Sequence, residues 1–149
     1  MPWLVVVGSS SGLELALTGV LGFRARVATS AIRAGDQFAL YVTRSAFHNP
    51  TRDFTQIAAT GIVTGGVCVN EVRAGEETFP QSCSVEIQHA LPARNGLPFV
   101  PLVPQMAFIR DKIHWSSYVR TSLRPLPQTD FNVIEAALRA AVDRLRLTS

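Results

Sequence analysis

Trp115, Tyr118 and Arg120 lie close together in the segment HWSSYVR. An indole, a phenol and a guanidinium at this spacing offer two kinds of recognition. The rings can stack on a flat ligand, at ~1–3 kcal/mol per nucleobase. The guanidinium can make a bidentate hydrogen bond to a phosphate or a base edge. An extended Tyr118–Arg120 step would send both side chains to one side, with the Trp stacked near the Arg. The same residues also read as a structural cation–π pair. Phe23, Tyr41 and Phe47 fall at other strand ends or turns. Like Trp115 and Tyr118, they either flank a flat ligand or seal the ends of a barrel.

Other chemistries find little support. Gly8-Ser9-Ser10-Ser11-Gly12 has neither the Gly-Lys-Ser/Thr ending of a P-loop nor a GxGxxG pattern. It reads as a strand-to-helix turn whose N–H groups and hydroxyls can hold a base edge or a phosphate. There is no GxSxG elbow for a serine nucleophile. Asp36 reads as turn chemistry, Glu76 and Glu77 as a solvated loop, and Asp111 with Lys112 as an exposed pair. His48, His89 and His114 are isolated. Cys68 and Cys83 lack metal-site spacing and are expected to be reduced thiols. The residues therefore predict a binding module rather than an enzyme, with no metal and no cofactor.

The elements that must position these groups are short. Trp3 to Val7 is a continuous apolar run and predicts a buried strand. A short helix is expected over Leu13 to Thr18, with Ser11 as its cap, followed by a turn between Gly19 and Gly22. Gln37 to Thr43 predicts a strand, and Arg44 to Arg52, with Asn49-Pro50, a loop. Phe54 to Val63 leans to strand, with a bulge or bend at Gly61. Val67 to Val72 suggests a further strand pair, Arg73 to Pro80 a charged loop, and the alternation Cys83, Val85, Ile87, His89 a half-buried strand. Met106 to Ile109 suggests one short helix, and Ser122 to Leu126 a brief strand. Phe131, Ile134, Leu138, Ala141 or Val142, and Leu145 recur at helical spacing, with Pro127 and Asp130 at the start. Trp3, Phe38, Phe54, Phe108 and Phe131 are expected in the core.

About six short strands without regular strand–helix alternation predict an α+β fold: a small antiparallel barrel closed by peripheral helices. At 149 residues and 47% hydrophobic content the chain suits one domain over 1–149. No apolar run approaches the roughly 18–20 residues that span a bilayer, and the start lacks a basic n-region. No membrane partner is expected, and a cytoplasmic location is. Thirteen of the fourteen basic residues are Arg, and the net charge is +3. That balance is compatible with a nucleic-acid partner, and equally with an Arg-biased genome.

Ordered pieces of the chain resemble the EVE domain of the PUA-like superfamily. WLVVVGSS is similar to that family's opening strand and Ser-containing turn, and Gly22-Phe23 to its glycine-aromatic loop. RAGDQFALYV looks like its basic-Xaa-Gly-Asp lead into a strand, and RDFTQIAATGIV like its central barrel strand. The most specific piece is PLVPQMAFIRDKIHWSSYVRTSLRPLPQTDF. The resemblance implies a PUA-like pseudo-barrel that recognises nucleic acid, DNA or RNA, through a flipped-out and often modified base. Some relatives are thought to read methylated cytosine, and the similar YTH domains hold methylated adenine in an aromatic cage. Carried over by position, it makes Ser9, Ser10, Phe23, Tyr41, Trp115 and Arg120 the pocket residues; Tyr118 joins them from the reading of HWSSYVR above. The chain departs from the family at Ala28-Thr29-Ser30, where a His-Gly-Lys type element is common, and at Ser116, where glycine is. The alternatives are a sensor of a free nucleoside or small molecule in the same pocket, or a hydrolase like some ASCH domains.

Overall fold

The computed structural model describes residues 1–48 and 54–148. Its elements run in the order β1 (Trp3–Val7), α1 (Ser10–Leu17), β2 (Val20–Phe23), β3 (Gln37–Val42), β4 (Gln56–Val63), β5 (Val72–Ala74), β6 (Glu77–Phe79), β7 (Gln81–Ala90), β8 (Leu97–Pro98), β9 (Leu123–Pro125) and α2 (Gln128–Thr148). Two 3-10 helices, Val100–Gln105 and Trp115–Val119, lie between β8 and β9.

The main sheet has the order β2-β7-β4-β3-β1-β9, with β8 added beside β4. Its pairs are antiparallel except β1 with β3, which run parallel from Trp3–Phe38 to Val7–Val42. The sheet curls into a half-barrel with helices around it, the α+β architecture expected from the sequence. Bulges break the ladders between Leu40 and Tyr41 and between Thr60 and Gly61. An extra residue on one strand bends it and raises its twist, which lets the sheet curl.

The uninterrupted apolar character of β1 and β3 follows from burial on both faces. Trp3, Val5, Phe38, Leu40 and Val42 point into the half-barrel, against Leu21, Phe23, Val63 and Leu13 of α1. Leu4, Ala39, Tyr41 and Ile57 point to the other face, against Phe99, Leu102, Met106 and Ile109 and the apolar stripe of α2. In that stripe Phe131, Ile134 and Leu138 are fully buried and Val142 nearly so.

Several expectations need correction. The turn expected between Gly19 and Gly22 is the edge strand β2, paired with β7 from Val20–Ser84 to Phe23–Gln81. Helix α1 begins earlier than predicted and is capped by Ser9, not Ser11. Arg73 to Pro80 is not a loop but the β5–β6 hairpin, closed by Gly75-Glu76. Gly75 has φ +60, which a two-residue hairpin turn needs and glycine supplies cheaply. Val67 to Val72 forms no strand beyond a single bridge between Cys68 and Ser82 and the start of β5 at Val72. Met106 to Ile109 is a turn after the first 3-10 helix, which ends where Met106 takes extended backbone. The loop after β3 starts as a turn at residues 44–48; its remainder, with Asn49-Pro50, lies outside the described residues. Phe54 is exposed and Phe108 only half-buried, so neither is a core residue.

Candidate functional site

The C-terminal end of β1 is the junction on which the site is built. Val6 N donates to Ser122 O at 2.9 Å, and Thr43 N donates to Val7 O at 3.0 Å. These bonds bring the ends of β1 and β3 and the segment before β9 together. Two cavities meet there, and Val6, Thr43 and Arg120 line both.

The first cavity, about 240 Å³, is the smaller and more enclosed of the two. Its walls come from β1 and Gly8, from Leu21, Gly22 and Phe23 of β2, and from Glu77 and Phe79 of β6. Ser9, Arg24, Arg120 and Ser122 complete it. Gly22 is required here by space: a Cβ on it would sit 2.5 Å from the Phe79 ring. Ser9 serves two purposes. Its Oγ accepts from Gly12 N at 3.1 Å, capping α1, and donates to Glu77 Oε2 at 2.6 Å. The other carboxylate oxygen lies 3.8 Å from Arg24 Nη2. Arg24 is largely exposed, so this pair contributes little to stability.

The second cavity, about 700 Å³, is wider and open. Tyr41, Phe54, Trp115, Val100 and Val119 give it an apolar wall, with Arg44 and Arg120 at its rim. The wall is backed by a ring stack. Tyr41 meets the buried Phe99 edge-on at 5.1 Å between centroids, and Phe99 meets Trp115 at 5.9 Å with a 50° tilt. Burial pushes the Tyr41 phenol above its ordinary pKa, against a hydrogen bond with the Thr55 side chain that acts the other way. Tyr41 is 2% exposed, so Trp115 and Phe54 supply the accessible ring surface.

The predicted pocket residues thus divide. Ser9, Phe23 and Arg120 line the enclosed cavity; Tyr41, Trp115 and Arg120 line the open one. Arg120 is the only one of them common to both. Ser10 lines neither: it opens α1, and its N–H donates to Ala46 O. Tyr118 also lines neither. The segment Trp115–Val119 is a 3-10 helix, not an extended strand, so Tyr118 and Arg120 diverge. The Tyr118 hydroxyl accepts from Asp111 N at 3.2 Å, and its ring borders a separate surface groove with Phe108, Arg110 and Arg124. The cation–π contact in this region joins Arg124 to Phe108, at 4.8 Å, rather than Arg120 to Trp115.

Sequence reading missed Arg24, Glu77, Phe79 and Phe99. Only the β-branched and aromatic character of ETFP hinted that Glu77 and Phe79 belong to a strand. Asp111 does not pair with Lys112: it holds His114 Nδ1 at 2.7 Å, while Lys112 Nζ donates to the carbonyls of Met106 and Ile109. Among the described residues no group of three His, Cys, Asp or Glu could hold a metal ion. Cys68 and Cys83 are free thiols.

No family model matches this sequence, and no curated protein does. Solved structures do. A crystal structure of a Pseudomonas putida protein is similar with a TM-score of 0.58 at 18% identity, over 92% of this chain and 99% of that one. A Pseudomonas syringae protein gives 0.56 at 14% identity, over 91% and 98%. A Leishmania major protein gives 0.58 at 14% identity, over 94% and 95%. At these identities the likeness establishes a shared fold that spans nearly the whole of each chain.

Proposed function

We propose that this chain is an EVE-like, PUA-like nucleic-acid-binding module that takes one flipped-out nucleobase, including a modified one, into the enclosed cavity. The observation that carries this reading is the place of Arg120, between an enclosed cavity and an open aromatic wall. A polymer needs that combination: a recess for one base, a flat surface for a neighbouring base, and a cation where the backbone turns between them. Arg24 and Arg44, exposed at the two mouths, add charge along the same path. The glycine-aromatic step and the Trp–Arg segment that carry the EVE resemblance contribute Phe23, Trp115 and Arg120 to these walls.

Fluorescence anisotropy with single-stranded DNA and RNA, carrying modified and unmodified bases at two salt concentrations, tests the proposal. Binding that weakens with salt is the expected result, since neutralised phosphates release counterions. If a free nucleoside binds while every strand fails, the site belongs to a small-molecule sensor instead. Turnover of a nucleoside or strand that is lost on mutating one polar cavity residue would favour the hydrolase alternative.

A further inference from the structure

We propose that Glu77 makes the enclosed cavity selective for guanine-type bases, those that present two adjacent N–H donors on one edge; this rests on the base-binding reading above. The carboxylate is held from one side. Ser9 Oγ donates to its Oε2 at 2.6 Å, and Ser9 is itself fixed as the cap of α1. Among the described residues its Oε1 has the distant Arg24 guanidinium, at 3.8 Å, and no closer partner. Each carboxylate oxygen has about two acceptor directions, so both oxygens keep acceptor capacity beyond these contacts, and Glu77 lines the cavity. Phe23 and Phe79, 3% and 5% exposed, are among the apolar residues that line it, with the Phe79 ring packed over Gly22.

A carboxylate only accepts, so the matching edge must only donate. Guanine offers N1–H and N2–H side by side. Adenine and cytosine place a ring acceptor next to their amino group, where it opposes the second carboxylate oxygen. Thymine and uracil flank a single N–H with two carbonyls. A guanidinium or amidine ligand also carries paired donors, but Arg24 and Arg120 at the cavity disfavour a second cation. A neutral base joined to phosphates fits both the carboxylate inside and the arginines beside it. Charge-assisted hydrogen bonds are roughly twice as strong as neutral ones, so the wrong edge loses twice: a donor is missing and an acceptor is set against a carboxylate oxygen.

The test uses the full chain and single strands that differ at one central base, in DNA and RNA frames. Guanine should bind at least about tenfold more tightly than adenine, cytosine or thymine/uracil. Hypoxanthine, which lacks the N2 amine, and O6-methylguanine, which lacks N1–H, should both fall below guanine. E77Q keeps an acceptor for Ser9 Oγ but turns one oxygen into a donor; it should abolish the guanine preference without weakening the other bases. E77D, which retracts the carboxylate by one methylene, should reduce the preference in the same direction. Thermal melts of both variants check that the fold is kept. If strands bind with no guanine preference, or if both variants retain it, the Glu77 inference is wrong and the nucleic-acid reading stands. If no strand binds but free guanosine binds better than adenosine in a Glu77-dependent way, the inference holds for a nucleoside site and the nucleic-acid reading falls. If neither binds, both fail.

Discussion

Ser9 Oγ donates to Glu77 Oε2 at 2.6 Å across 68 residues of sequence, and the same oxygen accepts from Gly12 N. One hydroxyl therefore starts α1 and sets the position of the only carboxylate that, among the described residues, lines the enclosed cavity. Local helix chemistry and site geometry are coupled at this atom.

That coupling predicts different outcomes for two substitutions. Ser9→Ala removes the cap and should cost about 1 kcal/mol, within the ~0.5–2 kcal/mol seen for cap losses. Ser9→Asp is an equally good cap by type but sets a second carboxylate against Glu77. It should be destabilising. Urea unfolding of both variants at pH 7 checks this; equal stability of wild type and Ser9→Ala would show that the bond is idle.

Trp115 and Arg120 should affect binding in distinguishable ways. Trp115→Ala should weaken binding by ~1–3 kcal/mol at any salt concentration, the scale of one stacking contact. Arg120→Ala should weaken it more at low salt and lower the slope of log affinity against log salt by about one. Anisotropy titrations across a salt series measure both. Tyr118→Phe, at a residue outside both cavities, should leave affinity unchanged.

Phe131 is fully buried between the sheet and the rest of the α2 stripe, and Phe131→Ala should cost ~3–5 kcal/mol. The preceding residue anchors the same helix: Asp130 is buried, and its two carboxylate oxygens accept from Ala107 N and Phe108 N at 2.8 Å. Asp130→Ala should therefore also destabilise, by roughly 1.5–3 kcal/mol for charged hydrogen bonds lost at a buried site. Chemical denaturation followed by far-ultraviolet circular dichroism reads both. A change within measurement error at Phe131 would mean that α2 is not docked through this face.

The two thiols should react differently. Cys68 is exposed, whereas burial, with Cys68 nearby as a lesser cause, pushes the Cys83 thiol up from the ordinary 9.0 to about 11. A thiol-labelling reagent at pH 8 should modify Cys68 quickly and Cys83 only on unfolding. The pH dependence has a definite sign. Between pH 9 and about 11 the native state retains a proton that the unfolded chain has lost, so stability falls as pH rises through that window. Cys83→Ala should flatten that fall, as measured by thermal melts from pH 8 to pH 11.

The residues alone determined the features that rest on local periodicity. Phe131, Ile134, Leu138, Ala141 or Val142, and Leu145 recur at helical spacing; the first three and Val142 are buried on one side of α2, and Leu145 is exposed. The continuous apolar run of β1 marked a buried strand, Gln37 to Thr43 marked β3, and Gly61 marked a ladder irregularity that the register shift bears out. Phe23, Trp115 and Arg120, which line the cavities, were singled out by the family resemblance; the residues alone left open whether such side chains flank a ligand or seal the barrel ends. Tertiary structure decided the rest. Tyr118 leaves the site because a 3-10 turn rotates it away from Arg120, and the sequence WSSYV suits a strand or a turn equally. Glu77 enters the site although RAGEE reads locally as a charged loop. Its place depends on a hairpin folding back onto Ser9, and local spacing carries no record of a contact made between residues so far apart in the chain.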